Sequence, residues 1–142
     1  MAKASRPVPE PTPETQHFWD GTRQGEIRLQ RCDDCRHAYF PPRPFCPACS
    51  SRSVSVFRAS GRGKLLSYII NQRPHPAWDA PYSIAIVELD EGVRMMSNIV
   101  GCEQTPAALV LDMPLEATFE RLTDQISLPL FRPAGGSPQG AR

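Results

Sequence analysis

From Gly61 onward, apolar and polar residues alternate in short runs separated by turn formers, the period of two that belongs to strands. Lys64 to Arg73 is a long first strand whose Leu65, Leu66, Tyr68, Ile69 and Ile70 face both ways, as in a bent strand shared between two sides of a barrel. Pro74 to Pro81 is a loop. Tyr82 to Leu89 and Val93 to Val100 are two strands joined through Asp90-Glu91-Gly92, with Gly92 suited to the left-handed position of a short hairpin loop. Thr105-Pro106 predicts a capped helix over Ala107 to Val110. Leu115 to Leu122 alternates cleanly, Thr123-Asp124-Gln125 turns, and Ile126 to Phe131 is a last strand. Three strands, a short helix and two more strands is the order of the five-stranded Greek-key barrel called the OB-fold.

The first sixty residues read differently. Alternate prolines at 7, 9, 11 and 13 predict an extended arm over residues 1–13 that cannot pack by itself. Thr12 as N-cap and Pro13 at the first turn predict a helix from Pro13 to Asp20, stopped by Gly21 and carrying Phe18 and Trp19. Eight residues are too few for a stable isolated helix, so the aromatics either cover the neighbouring module or dock on another protein. Glu26 to Gln30 and Ala38 to Phe40 form an antiparallel pair, the prolines at 41, 42, 44 and 47 keep the next stretch extended, and Val54 to Phe57 is a short strand. The expected organisation is a flexible Pro-rich arm (1–13), a helix and metal ribbon (14–58), the OB-fold (59–133) and a mobile Gly/Pro/Ser-rich tail (134–142). The fold class is mainly β: an N-terminal helix plus a rubredoxin-like zinc ribbon, followed by a five-stranded OB-fold barrel.

The strongest chemical signal lies between the first strand and the short strand Val54 to Phe57. Cys32 and Cys35 form one C-x-x-C, Cys46 and Cys49 a second, and ten residues separate the pairs. Each tight turn aims two sulfurs at one point, and two such turns supply four thiolates for a tetrahedral ion. Structural Zn2+ is the expected occupant; rubredoxin-type iron uses similar spacing and is the competing metal. No apolar run suited to a signal peptide or a membrane span is present in the sequence, so disulfides are not expected and the expected compartment is the cytoplasm. Cys102 is unpaired by this count and reads as a small buried hydrophobe.

The net charge of +1 hides a division along the chain. Residues 21–73 hold ten Lys/Arg against three Asp/Glu, whereas residues 74–142 hold four against nine. Four thiolates on a divalent ion leave −2, which gives Arg31, Arg36, Arg43 and Arg52 a local reason to be there. His17, His37 and His75 lie in separate segments, no Ser or Cys sits beside a base, and no glycine-rich loop runs from a strand into a helix. The residues recommend no self-sufficient active site.

Phe18-Trp19-Asp20-Gly21, Arg31-Cys32-x-x-Cys35, Pro42-Arg43-x-Phe45-Cys46-Pro47-x-Cys49, Gly61-Arg62-Gly63-Lys64, Pro81-Tyr82, Glu88 to Arg94, Met113-Pro114 and Phe131-Arg132-Pro133 together resemble one family. It is the zinc-ribbon OB-fold family once classed as domain of unknown function 35, and the resemblance runs from about residue 12 to 133. The glycine usual after each knuckle is replaced by Arg36 and by Ser50, and Asp112 stands where glycine is common before Met-Pro.

The resemblance implies a non-catalytic accessory subunit in a hetero-oligomer with a thiolase-like enzyme, a lipid-transfer-protein-type aldolase or a hydratase. The complex would act on acyl-CoA thioesters, for example in steroid side-chain or fatty acyl catabolism. In that setting Arg62, Lys64 and Arg73 are the candidates to face coenzyme phosphates, with Trp78 and Tyr82 near the pantetheine or adenine. The alternative is a single-stranded nucleic-acid-binding protein, since zinc ribbons and OB-folds both serve that purpose. The acidic second half argues against it, and neither nucleic acid nor membrane is the expected partner.

Overall fold

A computed structural model describes residues 6–135; the outermost part of the expected arm (1–5) and of the expected tail (136–142) lie outside the described residues. Helix α1 (Gln16–Arg23) leads into strands β1 (Arg28–Cys32), β2 (Ala38–Tyr39) and β3 (Val54–Arg58), which form a three-stranded antiparallel sheet in the order β2-β1-β3. Strands β4 (Arg62–Asn71), β5 (Tyr82–Leu89), β6 (Arg94–Ser97), β7 (Pro114–Arg121) and β8 (Ser127–Pro133) form a curled five-stranded sheet in the order β6-β5-β4-β7-β8. Its two edges meet where Phe131 N–H donates to the Asn98 carbonyl (3.1 Å) and Val100 N–H to the Phe131 carbonyl (2.8 Å). This is the strand order of the OB-fold, as the alternation predicts.

The helix begins and ends later than Thr12 and Gly21 suggest. Thr12 does open a turn, but its N–H bonds the Thr15 hydroxyl (2.9 Å) and its carbonyl accepts from Thr15 N–H (3.0 Å), so α-helix starts only after Thr15. Gly21 lies inside the helix and is buried because Arg28 crosses it: a Cβ there would stand 2.8 Å from the Arg28 Cγ. The stop is Gly25, at φ +81°, with Glu26 N–H bonding the Gly21 carbonyl and Gly25 N–H the Thr22 carbonyl in the Schellman pattern.

Two other expectations are corrected. Residues 107–110 make a single turn, with Thr105 Oγ1 accepting from Ala108 N–H (3.2 Å), before the chain turns away at Asp112. Strand β6 stops at Ser97 instead of running to Val100, since from Asn98 onward the backbone bonds β8 in place of β5. Strand β4 bends at a bulge between Leu65 and Ser67, which lets Leu65 on one side and Tyr68 and Ile70 on the other approach the same core.

Helix, ribbon and curled sheet share one hydrophobic core. Phe18 from α1 and Ile27 and Leu29 from the start of the ribbon join Leu65, Val87, Leu89, Met95, Leu115 and Phe131 of the five-stranded sheet. Phe18 packs against Trp19 and Phe40 at ring separations of 5.1 Å, which fastens α1 to the segment that follows β2; burying such a ring contributes about 2–3 kcal/mol. The described part of the arm is tied down too, because the Arg6 guanidinium pairs with Glu120 of β7.

Candidate metal centre and the grooves of the five-stranded sheet

Each cysteine pair sits on a tight turn built the same way. Asp34 N–H and Cys35 N–H both donate to the Cys32 sulfur at 3.4 Å, and Arg36 N–H closes the turn on the Cys32 carbonyl (3.0 Å). In the second knuckle Ala48 N–H donates to the Cys46 sulfur (3.3 Å) and Ser50 N–H to the Cys46 carbonyl (2.9 Å). Arg36 and Ser50 then stand at φ +69° and +67°, left-handed positions that explain why glycine is usual there. Asp112, the third such departure, is the only other described non-glycine residue at positive φ (+68°).

The four sulfurs lie within 4.8 Å of one another, with Cys32 to Cys49 and Cys35 to Cys46 each at 3.6 Å. A tetrahedral ion with metal–sulfur bonds of about 2.3 Å requires sulfurs about 3.8 Å apart, so the cluster is of the size that holds one. Without a cation the thiols cannot all ionise together. The Cys35 N–H, aided by Asp34 N–H, draws Cys32 down to about 7. Cys49 is pushed up to about 12: the Ser51 N–H, the largest single influence, acts the other way, and the neighbouring sulfurs together with burial outweigh it. A divalent ion removes this conflict by replacing the shared protons.

The frame around the site is polar. Asp33 accepts from Ser53 (3.2 Å) and Ser55 (2.7 Å), and Asp34 from Ser51, so the acidic pair inside an otherwise basic module binds the first knuckle to β3 and to the second knuckle. This role is invisible in the spacing of the cysteines. Arg31 lies over the Phe57 ring (4.2 Å), which gives it a packing role beyond counter-charge.

The five residues proposed for coenzyme contact fall in separate places. Trp78 and Tyr82 come together, rings 6.4 Å apart and 28° from parallel, with His75 edge-on to Trp78 at 4.7 Å. They line an open groove of about 410 Å³ with Arg6, Asn98, Val100 and Cys102. Arg73 is next to it by way of Asn71, whose side-chain oxygen accepts from Arg73 N–H (3.2 Å) and whose amide donates to the Tyr82 hydroxyl (2.7 Å). Arg62 and Lys64 stand at the other end of β4, roughly 20–30 Å away at about 3.3 Å per residue. Arg62 lines a second groove of about 270 Å³ with Arg58, Arg132, Glu26 and Glu116. Lys64 is held between Glu88 (3.6 Å) and Asp112 (3.7 Å).

Sequence reasoning passed over Arg6, Asn98 and Cys102 as groove residues. Long-range contacts gather them: the Arg6–Glu120 pair, and the parallel approach of Ile99, just past β6, to Phe131 of β8. Burial lowers the Cys102 thiolate fraction by pushing its thiol up, with Glu103 acting in the same direction. The three histidines remain apart from one another: His17 lies on α1, His37 stacks on Tyr39, and the Nδ1 of His75 accepts from Ala77 N–H (2.9 Å).

Comparison with known proteins gives this architecture relatives. The model of the ChsH2 rubredoxin-like zinc ribbon domain matches residues 19–55, and that of the ChsH2 C-terminal OB-fold domain matches residues 58–120. The chain is 36% identical over 133 residues to a probable enoyl-CoA hydratase alpha subunit of Thermomonospora curvata, covering 93% of this chain and only 41% of that longer protein. It is 37% identical to a DUF35 domain-containing scaffold protein of Methanocaldococcus jannaschii, over 66% of this chain and 67% of that one. The solved Ltp2-ChsH2(DUF35) aldolase contains a chain with a TM-score of 0.78 and 35% identity, aligned over 89% of this chain and 98% of that one. With its matched zinc ribbon, its curled five-stranded sheet and four cysteines positioned for a metal, the chain belongs to the DUF35 family of zinc-ribbon OB-fold proteins.

Proposed function

We propose that this chain is a non-catalytic accessory subunit that holds structural zinc at Cys32, Cys35, Cys46 and Cys49 and assembles with a thiolase-like, aldolase or hydratase enzyme acting on acyl-CoA thioesters. One observation carries the reading: the four cysteines are a closed thiolate set with no position for substrate, and the serines that meet carboxylates, Ser51, Ser53 and Ser55 on Asp33 and Asp34, are spent on holding the knuckles together. A hydratase alpha subunit, a DUF35 scaffold and a chain of an aldolase complex are among the relatives, which supports a role as part of an assembly. The polar frame around the knuckles and the shared core give such a subunit a rigid shape for docking.

Within this reading Trp78 and Tyr82, with Arg73 beside them, face the coenzyme, because aromatic faces suit adenine or pantetheine and a guanidinium suits phosphate. Arg62 and Lys64 belong to a different region of the surface, and Lys64 is already held by two carboxylates. A tagged pull-down from the source cells, nuclease-treated and followed by mass identification, tests the assembly. Recovery of a stoichiometric acyl-CoA-processing enzyme is the expected result, and recovery of nucleic acid alone would replace this reading with the nucleic-acid one.

A further inference from the structure

The two edges of the curled sheet are treated differently by the sequence. In the β7–β8 hairpin, Leu122 N–H bonds the Ile126 carbonyl, so by alternation residues 127, 129, 131 and 133 turn their backbone groups outward. That edge is closed: position 129 is a proline without an N–H, its carbonyl accepts from Ser97 Oγ (2.9 Å), and Phe131 bonds Asn98 and Val100. In the β5–β6 hairpin, Leu89 N–H bonds the Val93 carbonyl (2.8 Å), so 93, 95 and 97 face β5 while Arg94, Met96 and Asn98 face outward. The Asn98 carbonyl is used by Phe131. No described residue meets the N–H and C=O of Arg94 or Met96, and no proline or inward charge guards them.

Beside this open edge lies a groove of about 250 Å³ with no charged residue in its lining, framed by Trp19, Phe40, Met96, Leu128 and Leu130. The outer face of the same sheet continues the apolar surface. Met96, 67% exposed, stands opposite Ile86, and Ile69, 61% exposed, opposite Ile84. Charges stay at the end of the stripe, where Glu88 pairs with Lys64 and Arg94. An unsatisfied strand edge next to an uncharged aromatic groove is the arrangement that receives an extended chain: backbone bonds give affinity, and alternate side chains enter the groove.

We propose that the free edge of β6 pairs with an extended, apolar segment of the enzyme partner, which adds a strand to the curled sheet and places one side chain between Trp19 and Phe40. This rests on the accessory-subunit reading. A second copy is the poorer occupant, because pairing its own β6 would bring the charged Arg94 against a groove that has no charged residue in its lining. Neither of the stretches 1–5 and 136–142 offers an apolar side chain larger than Met1.

The test uses the complex of full-length chain and partner purified from the source cells. Hydrogen exchange at the Arg94 and Met96 amides is compared with that of the free chain, and Met96→Pro is carried alongside, since it removes one outward N–H and no bond to β5. Tenfold or greater slowing of both amides in the complex, with loss of the partner from Met96→Pro while metal content and melting temperature hold, is the expected result. If Met96→Pro is misfolded, Met96→Lys, which charges the groove, takes its place. A stoichiometric enzyme that leaves both amides exchanging as in the free chain overturns the edge assignment and leaves the accessory role standing. Slowing that appears in the isolated chain together with dimers in sedimentation assigns the edge to a second copy and overturns the proposal. Absence of any enzyme in the complex overturns both.

Discussion

Replacing Ser50 by glycine should stabilise the protein, although it removes a side chain. At φ +67° an L-residue carries a steric cost of about 1–2 kcal/mol that glycine does not, while glycine returns about 0.5–1 kcal/mol through the freedom of its unfolded chain. The hydroxyl of Ser50 makes no hydrogen bond among the described residues, so nothing else is lost, and the net gain is about 0.5–1 kcal/mol. Arg36→Gly starts from the same geometry (φ +69°) but withdraws a positive charge beside four thiolates, so its gain is smaller with metal bound. Asp112→Gly gains least, because aspartate tolerates the left-handed region and its carboxylate is 3.7 Å from Lys64. Thermal unfolding of the metal-loaded variants should therefore rank Ser50→Gly above Arg36→Gly above Asp112→Gly, the first raising Tm by about 2–4 °C. A Ser50→Gly protein that melts lower than the parent would refute the reasoning.

Three further outcomes follow from the same structure. Cys46→Ala should release the metal and unfold the ribbon, seen as loss of bound zinc by elemental analysis and of any partner in the pull-down; a variant that keeps both contradicts the site. Gly63→Ala should cost several kcal/mol, about 3 or more, because the added Cβ would lie 2.5 Å from the Glu88 carbonyl oxygen in a strand paired on both sides; urea unfolding checks it, and a loss under 1 kcal/mol would contradict the register. Burial, with Arg28 adding to it, lowers the pKa of His17 below 6.5, and its Nε2 has no partner among the described residues. The unfolded chain then binds the proton more readily, so this contribution is present above pH 6.5 and is lost as pH falls through and below that value. His17→Gln should lose less stability than the parent between pH 7.5 and 5.5 in urea titrations, and an equal or greater loss would place the acid sensitivity elsewhere.

The four-cysteine cluster was legible in the sequence because three short intervals define it, and each knuckle folds on contacts within six residues. The strands were legible through period two, with Tyr82–Leu89 read to the residue. What escaped the sequence is held by long-range contacts. Gly21 looked like a helix stop because nothing local discloses Arg28 lying across it, and the true stop, Gly25, is set by backbone bonds one turn further on. β6 looked longer because its alternation continues to Val100, while its hydrogen bonds leave β5 for β8 at Asn98. Arg62, Lys64, Arg73, Trp78 and Tyr82 formed a plausible set by residue type, yet a strand of ten residues separates the first two from the rest. Residue type identifies what a side chain can bind, and only topology decides which of them meet.

The most direct measurement of the central claim is acyl-CoA turnover by three samples at equal concentration: this chain alone, the co-purified enzyme subunit alone, and the two together. No turnover by the chain alone and full turnover only by the pair is the expected result, with the metal-free Cys46→Ala chain unable to restore it. Turnover by the chain alone, or an enzyme subunit whose rate and solubility are unchanged without it, would contradict the account.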